Sequence, residues 1–283
     1  MKLQKSLHIR DESLGFSISK YIAVILFALL VAIPLAYIIM SGFKTSSEIS
    51  RPLSLPGSFY LGNYVKVLGN KMVMLSFLNS IVITGCAVLI CIIFCSLAAY
   101  PLARNKNKAF MAIYFIFLSA MMIPAVANLT SIYSLMNTLG LRNTLIGLSL
   151  LESALQIPLG VMLYTGFIKT IPRELDEAAM IDGCGYFRRF FSVIFPLLKP
   201  VTFSYAALMS IYVWNDFLMP MLVVSQNSKK PITLAVYNFV GENMVDYGAI
   251  FAALIIAIIP PLIFFLIFQR HLYSGITAGA VKG

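Results

Sequence analysis

Three places in this chain of 283 residues carry side chains whose types and spacing could do chemistry. Glu152 and Gln156 lie one helical turn apart within a long apolar run, so they share a helix face. A carboxylate at that depth is costly unless it meets water or a partner. The pair therefore either lines a polar pathway or sits near enough to an interface for Glu152 to reach water. Further on, Tyr212-Val213-Trp214-Asn215-Asp216-Phe217 sets an amide and a carboxylate among aromatic rings. Tyr212, Trp214, Asn215 and Asp216 could supply the amide, carboxylate and aromatic faces that a hydroxyl-rich ligand needs, while Trp214 could instead be only an interfacial anchor. The third place is Ile171–Pro200, a charged island between two apolar runs.

Other chemistries find little support. The two histidines, His8 and His271, stand near the termini, and there is neither a His-Glu-x-x-His pair nor a Gly-x-x-x-x-Gly-Lys-Ser/Thr phosphate loop. No catalytic residue and no cofactor bound by the chain are expected, nor ATP hydrolysis by the chain alone. Cys91 and Cys95 are one turn apart, but with no histidine or carboxylate nearby they read as small buried thiols, so no metal site is expected. With Cys86 also in the apolar run and Cys184 in the charged island, disulfides are not expected.

The island has internal order. Pro172 suits the first turn of a helix, and Glu174, Asp176 and Glu177 complement the positive end of its dipole, which predicts a short helix from about Pro172 to Ile181. Gly183 and Gly185 allow a sharp turn. A second amphipathic run follows, with Phe187, Phe190, Phe191 and Ile194 on one face and Pro196 closing it. The expected product is a helix-turn-helix elbow at a membrane surface.

These positions also carry a resemblance. Glu177-Ala178-Ala179, three residues, Gly183, nine residues, then Val193-Ile194-Phe195-Pro196 resembles the EAA loop of the integral membrane subunits of ABC importers. Val193 and Phe195 replace the usual Ile and Leu, both apolar. The resemblance implies that the elbow, with Glu177, Ala178, Ala179, Asp182 and Gly183, is a coupling helix docking on an ATPase subunit. Trp214-Asn215-Asp216-Phe217 resembles a signature of the sugar-transporting branch, which makes Tyr212, Asn215, Asp216, Glu152 and Gln156 candidates for the substrate pathway. Ser225–Pro231, with Asn227, Lys229 and Lys230, matches the external loop that reaches a substrate-binding protein; a solvated loop is the alternative. The ending Gly275–Gly283 resembles the tail of the smaller maltose-type permeases, which implies that Thr277, Gly279 and Lys282 lie between the ATPase subunits.

The chain is 60% hydrophobic and 11% charged, far too apolar for a soluble fold of this length. Apolar runs at about 21–40, 77–100, 110–127, 145–167, 201–220 and 249–268 give six candidate spans. The fold expected is an all-α polytopic membrane protein with a cytoplasmic tail over 1–20, a permease domain over 21–269 and a second tail over 270–283. The first span lacks the short core and cleavage site of a signal peptide and is expected to be retained. The net charge of +10 is spread over separate inter-span segments, which favours a lipid bilayer over nucleic acid. The N-terminal tail, the 101–109 loop, the elbow and the C-terminal tail hold twice as many lysines and arginines as the opposite segments, which puts both termini and the elbow in the cytoplasm. The segment 41–76, rich in proline and glycine around Arg51–Gly57, is expected to be extended and irregular.

The family's pattern implies a type I importer fold in the bacterial inner membrane. It further implies a homologous permease as heterodimer partner, two ATPase subunits that use ATP and Mg, and an extracytoplasmic sugar-binding protein. An ion-coupled transporter would need more intramembrane carboxylates and internal symmetry. A membrane enzyme would need catalytic groups that the chain does not show.

Overall fold

The computed structural model describes residues 14–51, 54–242 and 246–280, and among them every regular element is helical. Helices α1 (Leu14–Gly42), α2 (Ser46–Ile49), α3 (Gly62–Gly69) and α4 (Lys71–Arg104) come first, followed by α5 (Lys108–Ala120), α6 (Leu129–Thr138) and α7 (Leu145–Ile168). The elbow contributes α8 (Glu174–Ile181), α9 (Tyr186–Arg189) and α10 (Phe195–Leu197). Then come α11 (Lys199–Asn215), α12 (Leu218–Val223), α13 (Ile232–Glu242) and α14 (Tyr247–Ala280).

Among the described residues, four helices are long and apolar enough to cross a membrane alone: Ser19–Gly42, Lys71–Arg104, Leu145–Ile168 and Tyr247–Ile267. Two more spans arise if each bent helix pair counts as one. The run expected at 110–127 is α5, a break at Pro124 and α6, bent by 90°. The run at 201–220 ends as a helix at Asn215, and α11 meets the preceding Tyr186–Leu197 segment at 74°. Proline supplies no N–H to a helix ladder and restricts the residue before it, so chain direction changes where Pro124 interrupts the apolar run.

The chain forms two compact units. In the first, residues 1–65 with 246–255, the segment after α1 is not wholly irregular. Thr45 and Glu48 close a capping box around α2, and the Glu48 carboxylate also accepts from the Gly57 amide at 2.9 Å. Asn63 Nδ2 donates to the carbonyls of Gly42 and Lys44 at 3.0 and 2.9 Å. These bonds, which in the case of Asn63 reach back 21 and 19 residues, are what an extended connector would lack.

The second unit, residues 66–245 with 256–283, holds the core. On α4, Ala87, Cys91, Cys95 and Ala99 recur every four residues and are all fully buried. Small side chains let helix backbones approach closely in a membrane. Against this stripe α7 presents Ser153, whose hydroxyl donates to Ala87 O at 3.3 Å and whose carbonyl accepts from Cys91 Sγ at 3.4 Å. A Cβ on Gly160 would stand 2.5 Å from Cys95 Sγ and 2.7 Å from the Tyr205 ring, so only glycine fits this crossing without movement. Both thiols are thus packing groups. With 34 residues, α4 is about 50 Å long and overshoots the hydrocarbon layer, which carries its end at Arg104 out to the elbow.

Candidate functional site

The elbow is built from α8, a tight turn and a distorted second helix. Its first helix starts at Glu174, two residues beyond the expected Pro172, with three carboxylates in its first turn. It ends in a Schellman motif: the Cys184 and Gly183 amides donate to the carbonyls of Ala179 and Met180 at 2.9 and 3.0 Å, and Gly183 takes φ +75°. Glu177, Ala178, Asp182 and Gly183 are exposed, whereas Ala179 is buried on the inner face. Around Glu177 stand Met180 and Ile181, 59% and 87% exposed, and beyond the turn Phe187 is 67% exposed.

The second run departs from a regular helix. Residues Phe190–Ile194 form a π turn, and Pro196 does not close the run but lies inside α10. The wider turn rephases the side chains. Phe190 and Ile194 are fully buried while Phe187 and Phe191 are exposed, so the four do not share one face.

A group missed at the level of sequence anchors the elbow. Asp176, expected only to complement the helix dipole, is buried. Its Oδ2 pairs with Arg104 Nη2 at 2.8 Å, its Oδ1 lies 3.6 Å from Arg189 Nε, and Tyr100 Oη donates to Oδ1. Tyr100 also accepts from Arg189 Nε at 2.8 Å and packs against Tyr186 and Phe190 with ring centroids 5.1 and 5.4 Å apart. A cavity of about 340 Å³ opens beside these groups, lined also by Arg173 and Glu177. The available signal was periodicity: Asp176 and Ala179 fall at i and i+3, while Tyr100 and Arg104 fall at i and i+4.

In the membrane region the structure brings four of the five expected pathway residues together. Glu152 is 1% exposed, its carboxyl lies beside that of Asp216, and neither of its oxygens meets a hydrogen-bond donor. Tyr212 faces Gln156 and the two carboxyl groups, and its half-exposed ring lines a cavity of about 370 Å³ with Asn128, Leu155 and Pro158. Asp216 accepts from the Leu218 and Met219 amides at 3.0 and 3.2 Å, capping α12. Asn215 instead turns back, donating to Ile211 O at 2.8 Å. Trp214 is neither an interfacial anchor nor an open platform: it is buried, donates to Ala257 O at 3.0 Å and meets Phe77 edge to face.

At the far end of the second unit, the loop with Asn227, Lys229 and Lys230 contains one 3-10 turn and leads directly into α13. Asn79 Nδ2 on α4 donates to the carbonyls of Ser228 and Lys230, both at 3.0 Å. The backbone of Thr277 and Gly279 lies within α14, while the Thr277 side chain and Lys282 fall outside the described residues. Among the described residues no group of three or more histidines, cysteines or carboxylates is placed to hold a metal.

An all-helical chain with this polar seam and anchored elbow matches known proteins. Residues 92–278 fit the family described as binding-protein-dependent transport system inner membrane component. The chain belongs to that family. It is 34% identical to the melibiose/raffinose/stachyose import permease protein of Bacillus subtilis, over 89% of this chain and 91% of that one. It is 38% identical to a probable starch degradation products transport system permease protein of Thermoanaerobacterium thermosulfurigenes, over 91% and 94%. In fold it resembles a bacterial ABC transporter involved in import of the acidic polysaccharide alginate, with a TM-score of 0.81 at 22% identity, covering 90% of this chain and 95% of the other. The protein is therefore a multi-pass inner membrane component of a binding-protein-dependent transport system with the importer permease fold.

Proposed function

We propose that the chain is the permease subunit of an ABC importer for a sugar or oligosaccharide, driven through its elbow by separate ATPase subunits. The observation that carries the coupling role is the surface around Glu177. Met180, Ile181 and Phe187 expose large apolar side chains on a charged segment outside the spans. Apolar groups clustered beside a carboxylate suit a partner cleft rather than water. Sugar as cargo is supported by the relatives, which are permeases for melibiose, raffinose and stachyose and for starch degradation products. The cluster of Tyr212, Gln156, Glu152 and Asp216 adds groups that bind hydroxyls.

In this reading both termini and the elbow are cytoplasmic, and ATP and Mg are used by the ATPase pair. A second, homologous permease completes the pathway, and an extracytoplasmic binding protein delivers the sugar to the face holding Asn227, Lys229 and Lys230. The C-terminal tail with Thr277, Gly279 and Lys282 runs towards the ATPase subunits. Closure of the ATPase dimer moves the elbow and switches the spans between two packed arrangements.

Cross-linking from a cysteine at exposed Ala178 to a co-expressed ATPase subunit tests the coupling role, together with raffinose-stimulated ATPase activity and assembly of the Glu177→Ala variant. Cross-linking, with stimulation lost from an assembled complex, is the expected result. An elbow that touches no ATPase subunit, with stimulation intact in Glu177→Ala, would overturn the reading.

A further inference from the structure

A carboxylate on a short helix outside the membrane ordinarily faces water, as Glu174 and Glu177 do on either side. Asp176 instead is buried among groups from two other elements: Tyr100 and Arg104 of α4, and Arg189 of α9. Arg104 extends the joint, because its Nη1 donates to the carbonyls of Ile168 and Ile171 at 3.1 and 3.0 Å. One guanidinium thus holds the end of α4, the end of α7 and the elbow helix together.

The covalent route between elbow and spans is soft by comparison. On the entry side, residues 169–173 are non-helical. On the exit side, the chain passes through Gly183 at φ +75°, Gly185 and a π turn. Glycines and irregular turns bend at little cost, so a push on α8 would be absorbed there. A buried, doubly paired carboxylate yields far less readily, because separating it leaves uncompensated charge away from water.

We propose that Asp176 is a positioning residue that makes α8 and the cytoplasmic end of α4 move as one rigid body, so that a displacement of the elbow reaches the spans through this side-chain joint rather than along the chain. The proposal rests on the reading that the elbow docks on an ATPase subunit.

The test is a distance measured across the joint in the assembled transporter, purified in lipid nanodiscs with its partner permease and ATPase subunits. Spin labels go on Lys106→Cys and Glu174→Cys after Cys86 and Cys184 are replaced by serine. With Asp176 present, one narrow distance is expected, the same without nucleotide and after trapping with ATP and vanadate. Asp176→Asn should broaden the distribution and shift it on trapping, while Asp176→Glu should restore most of the narrow population. Two outcomes overturn the proposal: a distance that changes on trapping in the parent protein, or an Asp176→Asn distance as narrow and constant as the parent's. Should Asp176→Asn fail to assemble, the parent measurement and Tyr100→Phe, which keeps both ion pairs and should stay narrow, decide alone. Failure of the ATPase subunits to co-purify with the parent chain is a separate result, which removes the docking reading and this proposal with it.

Discussion

At Gly183 the backbone adopts φ +75°, and no atom lies within 4 Å of the place a Cβ would occupy. A side chain there meets no clash, so the cost is conformational alone, about 1–2 kcal/mol for an ordinary L-residue. Asparagine tolerates this region better than alanine, and β-branched valine worst. Co-purification of the ATPase subunits should therefore fall in the order glycine, asparagine, alanine, valine. Equal recovery for all four would show that the turn is not what the elbow needs. Glu152 poses the opposite problem. Its two oxygens are buried without a donor beside the Asp216 carboxyl, an arrangement that costs stability. Glu152→Gln keeps the shape and supplies an amide donor, so the melting temperature of the assembled complex should rise by a few degrees. In the proposed pathway role of Glu152, uptake of the transported sugar should nonetheless fall. A lower melting temperature would refute this account of the seam.

Among elements, the crossing of α4 and α7 depends on absent side-chain volume. Gly160→Ala forces Cys95 or Tyr205 to move, at about 1–3 kcal/mol. The loss should be partly recovered by Cys95→Ala, which removes the nearer obstacle, as read from thermal unfolding. An additive double variant would place the strain elsewhere. How far such elements were legible in the sequence depended on the range of the interactions that make them. The Gly183 turn and the acidic start of α8 follow from local preference and were visible in residue types. The four-residue stripe of Ala87, Cys91, Cys95 and Ala99 was present in the spacing, but its meaning required α7 opposite. The split of Phe187 and Phe191 from Phe190 and Ile194 was not legible. Spacing at 3.6 residues per turn puts all four together, whereas the π turn separates them and sets Phe190 against Tyr100, a residue 90 positions earlier. Asp176 was hidden for the same reason, since its partners lie 72 or more residues earlier on α4 or beyond the turn on α9.

At the scale of the whole molecule, lysines and arginines are more numerous at the elbow end of the second unit than at the other. Arg104, Lys169, Arg173 and Arg189 gather at the elbow end, where Arg104 bonds to the carbonyls of Ile168 and Ile171 and Lys169 lies over the Tyr114 ring at 5.2 Å. The opposite end carries Lys229 and Lys230 on the loop fastened to Asn79, and Arg142 over the Tyr133 ring at 4.2 Å. Cationic loops are retained on the cytoplasmic side during insertion, so the elbow end should face the cytoplasm. The apolar length between the two ends excludes both from one side, because the spans joining them are long enough to cross the hydrocarbon layer. In a cysteine-free background, Asn227→Cys should react with a membrane-impermeant maleimide in intact spheroplasts, whereas Lys106→Cys should react only after permeabilisation. The reverse pattern would invert the protein in the membrane and turn the Glu177 surface away from any cytoplasmic ATPase. Labelling of both sites in sealed cells would mean that the two ends of α4 lie on one side, which a helix of 34 residues crossing the bilayer does not permit.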